Sequence, residues 1–263
     1  MPMEEMKYLL TKDNCKRVAN QLDNENGMDE FASDFFGQYK NLWRKWSSVI
    51  NTKDLFQRYL HHPMEKSIPL IEISKLFRKP TRDRLEVLFV NCNPSGTDIT
   101  YYKKKNAIGD DFFYYDKPNN AYLKNAEAFY KELGLVDGNY AMIDLFPIVV
   151  KDQAILKNAY LTYTDFFDCL VKIFVDIVIE LQPMVIVVTN AFVRDVLKKE
   201  MPKFFCFIEN SLGVFYEMKN SRLDTAVFCG GMIAGRQQMD VDSKRRLIRD
   251  VRNYLWSIKV KTI

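Results

Sequence analysis

Short, uninterrupted apolar runs recur from residue 85 onwards, and stretches with helical spacing separate them. Such runs are typical of strands that are buried on both faces of a parallel sheet. In chain order they are LEVLFVN (Leu85–Asn91), YAMIDLF (Tyr140–Phe146), MVIVVTN (Met184–Asn190) and DTAVFCGG (Asp224–Gly231). Because these strands alternate with helices, the pattern predicts a three-layer α/β/α fold around a mainly parallel central sheet.

The segments between the runs predict the helices of this fold. Helical spacing of apolar residues covers roughly residues 120–133, 165–181, 191–199 and 242–258. Gly134 follows the first of these helices and is expected to end it. The segments FFCFI and VFYEM predict a pair of strands nearer the edge of the sheet.

Residues 1–80 have a different pattern, with polar breaks and no strand alternation. They predict an N-terminal helical extension packed on the core, so that residues 81–263 form the α/β domain. Aromatic residues recur in this part at near-helical spacing, at Phe31, Phe35, Tyr39, Trp43 and Trp46. Their spacing favours a helical layer that covers the core over an aromatic binding platform.

Composition limits the chemistry. The five cysteines are widely spaced without a CxxC pair, which argues against a disulfide framework or a zinc ribbon and favours a reducing compartment. The only histidines are His61 and His62, so we expect no metal site and no cofactor. The net charge of +4 permits a nucleic-acid partner without requiring one.

The chain is expected to be a cytoplasmic protein, and we expect a monomer. Its first residues lack a basic start followed by an apolar run, so no secretory signal is predicted. The most apolar helical stretch, Phe166–Leu181, carries four charged side chains that a membrane span would bury at high cost. It therefore predicts an amphipathic helix that faces the core.

Polar residues and glycines cluster where the predicted strands end, in NCNPSG, DLFP, TN and GGMIAGRQQ. In parallel α/β sheets, ligands bind beyond the carboxyl ends of the strands, so the site is expected there. The segment Val87–Gly96 is the first candidate, although an Asn-Pro turn is also a common structural feature. No GxGxxG, P-loop or GxSxG motif is present, which argues against dinucleotide, P-loop and nucleophile-elbow sites.

The segment Gly230–Asp240 joins a predicted strand to a basic helix. With Gly231 at its start and Arg236 and Gln237 at its crest, it is suited to approach a nucleic-acid backbone, or it is only a connection. The helix behind it carries Lys244 and Arg245, followed by further arginines, which are suited to phosphate contacts. A solvated helix face explains the same residues.

Four segments in order carry a family resemblance. VNCNPSG resembles a G-I-N-P-G motif, and KPNNAYLKNAEAFYKELGL resembles an H-P-x-N-x-F/Y-W-K helix start. ELQPMVIVVTNAFVRDVL and VFCGGMIAGRQQMDVDSKRRLIRDVRNYL resemble the strand and helix before a final H/N-P-S-x-x-S loop, and that loop with its helix. Between residues 85 and 255 the chain thus resembles the uracil-DNA glycosylase superfamily, most closely its mismatch-specific uracil/thymine branch.

The resemblance implies hydrolysis of the N-glycosidic bond of uracil or a related damaged or mismatched base in DNA. Asn93 would be catalytic and would position the attacking water, while Asp144 lies near the base-reading position. A small residue at Ser95 implies a pocket more permissive than one closed by tyrosine. Either Tyr115 or Tyr122 would stack on the base. The other positions that the resemblance places near the base are Cys92, Asn120 and Asn190.

One departure from the family leaves an alternative open. The His or Asn that stabilises negative charge on the leaving base falls on Gly230 or Gly231, which have no side chain to do so. Arg236 is a possible substitute, and loss of such a contact typically costs on the order of 100- to 1000-fold in rate. The alternative is therefore a catalytically degenerate module of the same fold that binds nucleic acid or a nucleobase. A nucleotide or small-molecule enzyme of another α/β class is a third, weaker reading.

Overall fold

A computed structural model describes residues 30–46, 71–74, 84–93, 112–115, 128–135, 139–148, 150, 153–233 and 238–261. These residues belong to two compact units, which are described separately. The first unit takes the described parts of residues 1–78, 93–115 and 144–174. The second takes those of residues 79–92, 116–143 and 175–263.

The predicted core strands are present, whereas the strand Phe112–Tyr115 and the helix Gln153–Thr162 were not predicted. The described helices are α1 (Glu30–Trp46), α2 (Gln153–Thr162), α3 (Thr164–Leu181), α4 (Ala191–Glu200) and α5 (Val241–Lys261). The described strands are β1 (Ile71–Ser74), β2 (Val87–Asn91), β3 (Phe112–Tyr115), β4 (Tyr140–Asp144), β5 (Val185–Val188), β6 (Cys206–Glu209), β7 (Tyr216–Lys219) and β8 (Asp224–Cys229). Residues 128–132 are helical, and Met201–Lys203 form a 3₁₀ turn.

Six strands form one sheet in the order β4-β2-β5-β8-β7-β6. β2, β5 and β8 are parallel, with Val87 opposite Val185 and Val185 opposite Ala226. Every residue of β2 and β5 is buried, as a strand covered on both faces requires. The sheet confirms an α/β fold with a mainly parallel sheet, which is compatible with three layers.

The predicted edge pair is confirmed. β6 and β7 pair in antiparallel register, with Cys206 opposite Lys219, and β7 pairs in antiparallel register with β8. β6 therefore forms one edge of the sheet. Its residues are mostly exposed, as expected for an edge strand.

Gly134 ends the helix at residues 128–132, as its position predicts. Its φ of 76° lies in the left-handed region that glycine adopts without steric cost, and its N–H donates to the carbonyl of Lys131 at 2.9 Å. An aromatic cluster packs beside this helix, with the Phe89 and Tyr130 ring centroids 4.1 Å apart. The helix is thereby fixed against the buried strand β2.

The prediction that residues 1–80 contain no strand is wrong at β1. Ile71–Ser74 pairs in parallel with Phe112–Tyr115, so that the two segments form a separate two-stranded sheet. The sequence IEIS alternates apolar and polar residues with the strand period of two, but over only four residues. Four alternating residues are too few to predict a strand, and the helical spacing upstream predicted a helix instead.

No helix in the described part of the chain is long and apolar enough to cross a membrane. α3, the most apolar by sequence, buries Phe166, Phe167, Leu170 and Phe174 among other residues. Its charged side chains remain at intermediate or exposed positions. It is thus an amphipathic helix, as predicted.

Candidate functional site at the strand ends

Asn93 follows β2, and its side chain is held by the segment that follows β4. Its Nδ2 donates to the backbone carbonyl of Val150 at 2.9 Å and to that of Ile148 at 3.4 Å. Both residues that supply the carbonyls are buried, whereas Asn93 is half-buried. The amide group is therefore fixed in orientation, with its nitrogen toward residues 148–150. A fixed amide oxygen is suited to orient a water molecule, because it has two lone pairs.

Asp144 is the last residue of β4 and is half-buried, between Ile143 and Leu145, which are both buried. Burial raises the pKa of the Asp144 carboxyl from 3.8 to about 7. Desolvation of the charged form is the cause, since a carboxylate loses its hydration when it leaves water. Near neutral pH the neutral and ionised forms of Asp144 are thus both populated.

The protonation state of Asp144 decides what it can recognise. An ionised carboxylate only accepts hydrogen bonds, which suits a donor edge of a base. A neutral carboxyl has one O–H donor and a carbonyl acceptor, so it matches a mixed edge in the way that an Asn side chain does. The shifted pKa therefore changes the sequence-based expectation for Asp144, because its neutral form fits an edge with one donor and one acceptor.

Tyr39 on α1 lies close enough to Asp144 for the two groups to interact. Its side chain is buried at 1% exposure, and its hydroxyl has no hydrogen-bond partner among the described residues. Burial raises the pKa of Tyr39 strongly, and the Asp144 carboxylate raises it further. From its spacing alone, Tyr39 was predicted to have only a core role. A buried hydroxyl without a hydrogen-bond partner is unusual. The Tyr39 hydroxyl and the Asp144 carboxyl are therefore polar groups in an otherwise apolar surrounding.

The second unit has its own polar group where β2 and β5 end side by side. Thr189 Oγ1 donates to Asn91 Oδ1 and, at 3.2 Å, to the carbonyl of Val90. Both polar residues are buried, so the bond links the two strand ends in an apolar surrounding. The pair was not singled out from the sequence, although the Thr and Asn both stand at strand ends.

Asn190 caps α4. Its Oδ1 accepts from the backbone N–H of Phe192 at 2.9 Å and of Val193 at 3.3 Å. Asn is among the preferred N-cap residues because its oxygen satisfies N–H groups that the first turn leaves open. Asn190 was predicted as a base contact, but its side-chain oxygen caps a helix. Its position directly before the predicted helix could have indicated this role.

The glycines at the end of β8 lie against other parts of the second unit. A Cβ on Gly230 would stand 2.7 Å from Leu247 Cδ2 and 3.3 Å from Met239 Cε. A Cβ on Gly231 would stand 3.3 Å from the Cβ of Met239. Close packing therefore accounts for Gly230, the position at which the resemblance expects a charge-stabilising side chain.

The two predicted phosphate contacts on α5 differ in their surroundings. Lys244 Nζ forms an ion pair with Glu132 Oε1 at 2.9 Å and lies 5.6 Å from the centroid of the Phe129 ring. Arg245 is largely exposed and lies 3.7 Å from Asp242. Lys244 is thus engaged within the protein, whereas Arg245 remains accessible.

The other predicted site residues are only partly described. Cys92 is buried at 5% exposure, and Tyr115 is the last residue of β3. The remaining ones lie outside the described residues: Ser95, Asn120, Tyr122, Arg236 and Gln237. Their predicted roles stay predictions. Within the described ranges, no group of three or more His, Cys, Asp or Glu side chains is arranged to hold a metal ion.

The structure thus holds the Asn93 amide on the segment after Asp144, and Asp144 interacts with Tyr39 through its charge alone. It gives Asn190 and Gly231 places in the other unit. Comparison with known proteins finds no protein-family model that matches the chain and no curated protein that matches it.

Proposed function

We propose that this protein hydrolyses the N-glycosidic bond of uracil, or of a related damaged or mismatched base, in DNA. The observation that carries the proposal is the Asp144 carboxyl, whose pKa burial raises to about 7 at a strand end. Perturbed carboxyls at such places are candidates for function. The order of the sequence segments that resemble the uracil-DNA glycosylase superfamily supports the same reaction.

In this proposal Asp144 reads the base in its neutral form. Its O–H donates to a carbonyl oxygen of the pyrimidine, and its own carbonyl accepts from the neighbouring ring N–H. As the bond to the sugar breaks, negative charge develops on the base, and the hydrogen bond from Asp144 becomes stronger. Asp144 would thereby stabilise part of the negative charge on the leaving base.

Asn93 orients the water that attacks the sugar. The water oxygen forms a bond to C1′, and the electron pair of the C1′–N bond leaves with the base. The water releases one proton to solvent, and the base anion takes up a proton from solvent after release. Because two backbone carbonyls fix its amide, Asn93 can hold the water without a large loss of side-chain entropy at the reaction step.

The experiment is a base-release assay with oligonucleotides that contain uracil, a thymine mismatch or hypoxanthine. We expect release from at least one of them, and loss of at least 100-fold in rate in Asn93→Ala. Asp144→Asn is the matched control, because it keeps one donor and one acceptor but does not titrate. Absence of release from every substrate, both single- and double-stranded, would overturn the proposal.

A second candidate is a non-catalytic module that recognises nucleic acid or a nucleobase. The packing of Gly230 against Leu247 favours it, because that position has no room for the missing side chain without movement of Leu247. Salt-dependent DNA binding without base release would support this function over the first.

A further inference from the structure

A groove of about 480 Å³ lies beside α5 in the second unit. Of the eight α5 residues that line it, five are spaced alternately four and three apart: Arg245, Arg249, Arg252, Trp256 and Lys259. This spacing places them in one stripe along the helix. At about 1.5 Å per residue the stripe is roughly 21 Å long. We call these five residues the α5 stripe.

The carboxylates that line the groove are paired with lysines. Glu86 Oε1 lies 2.9 Å from Lys259 Nζ, and Glu132 Oε1 lies 2.9 Å from Lys244 Nζ. Glu86 is buried, so its charge is directed into this pair rather than toward solvent. The lining carboxylates are therefore neutralised by lysines, and the three arginines of the groove can attract an anion.

The three arginines have few acidic partners. Arg245 lies 3.7 Å from Asp242, and both side chains are mostly exposed, so this pair is weak. Arg249 pairs with its chain neighbour Asp250 at 2.9 Å. Arg252 has no ion pair with any residue that the structure describes. Each guanidinium has five N–H donors, so even a paired arginine keeps donors for a phosphate.

Trp256 lies on the same stripe, one turn beyond Arg252, and is 71% exposed. A tryptophan so exposed beside cationic side chains offers a flat surface on which a base can stack. A positively charged groove with an exposed aromatic ring is the combination by which proteins bind single-stranded nucleic acid. A duplex hides the faces of its bases, so it cannot use the ring in this way.

We propose that the α5 stripe binds single-stranded nucleic acid, with phosphates on Arg245, Arg249 and Arg252 and one base stacked on Trp256. This site does not depend on base excision. Glu86, which lines the groove, precedes β2, whereas Asn93 follows it. The groove can therefore hold a strand whether or not the protein acts on a base.

The first test measures fluorescence anisotropy of a labelled 20-nucleotide oligo-dT, which contains no uracil, with the full-length protein. We expect Arg249→Glu/Arg252→Glu to weaken binding at least tenfold. The double variant should also lower the salt slope by about 1.4, since each single-strand phosphate contributes about 0.7. Arg249 and Arg252 are exposed, and an unchanged circular dichroism melt would show that the variant folds.

Arg246→Glu/Arg222→Glu is the matched control. Both residues are exposed, and neither lines the groove. The two substitutions change the net charge by the same amount as those in the groove variant. We expect this control to weaken binding less than threefold. Equal loss in the control and the groove variant would overturn the proposal, because it would indicate attraction by net charge alone. Unchanged binding in the groove variant would overturn it as well.

A second test addresses the stacked base. Trp256→Ala should weaken binding of oligo-dT about tenfold, whereas Trp256→Phe should keep most of it. An abasic strand of equal length should bind wild type and Trp256→Ala alike. Tighter binding of a 20-base-pair duplex, or of poly-glutamate, than of oligo-dT would contradict a single-strand site. Asn93→Ala, which tests base excision, should bind oligo-dT as tightly as wild type, so the two proposals can fail separately.

Discussion

At the scale of single residues, Asp144 connects stability to pH. Its pKa rises from 3.8 to about 7 on folding, so the folded state binds a proton that the unfolded state has released between these values. The free energy of unfolding contributed by Asp144 therefore falls as the pH rises from about 4 to 7 and stays low above 7.

Asp144→Asn should remove this dependence. At pH 8 we expect the variant to unfold with a free energy higher by on the order of 3 kcal/mol, while at pH 4 the gain should vanish. Urea unfolding at the two pH values measures the difference. An equal effect of the substitution at both values would show that Asp144 does not titrate as described.

Thr189 provides a residue-scale test in the second unit. Thr189→Val keeps the shape of the side chain but removes its hydrogen bonds to buried Asn91 and to the carbonyl of Val90. We expect a loss of about 1–3 kcal/mol in unfolding free energy, measured by urea denaturation. Thr189→Ser keeps the hydroxyl and should lose less, and a Thr189→Val protein as stable as wild type would contradict this role.

At the scale of elements, the contact between the end of β8 and α5 is open to a direct test. Gly230→Ala places a methyl group 2.7 Å from Leu247 Cδ2, so that Leu247 must shift within a packed region. We expect a loss of about 1–3 kcal/mol, read as a lower thermal midpoint. Among the described residues, a methyl group on Gly231 meets only Met239, so Gly231→Ala should cost less. The reverse order would show that Gly230 is not the tighter position.

The elements were predicted correctly where the sequence pattern is long or where only one residue type suits the backbone conformation. Continuous apolar runs predicted β2, β5 and β8, and Gly134 predicted the end of its helix, because burial and φ restrict the residues there. The pattern missed β1 because four alternating residues carry too little information. Tyr39 was given only a core role because one-dimensional spacing cannot show that a distant carboxyl lies nearby.

At the scale of the whole molecule, the candidate residues fall in both units, and each unit is described by itself. Asn93, Asp144 and Tyr39 belong to the first, whereas Asn190, Gly231 and the α5 stripe belong to the second. A strand-end position for the site could be proposed from the sequence, because parallel strands present their carboxyl ends at one edge, and it stays a prediction. The protonation of Asp144 could not, since it depends on burial that only the folded chain creates.

The most direct measurement is the pH dependence of uracil release from DNA by wild type and Asp144→Asn. If neutral Asp144 reads the base, the wild-type rate is constant below pH 7 and falls up to about tenfold for each further pH unit. The rate of Asp144→Asn, whose amide does not titrate, should then be flat across the same range. A wild-type rate that rises above pH 7, or the same fall in the variant, would contradict the account.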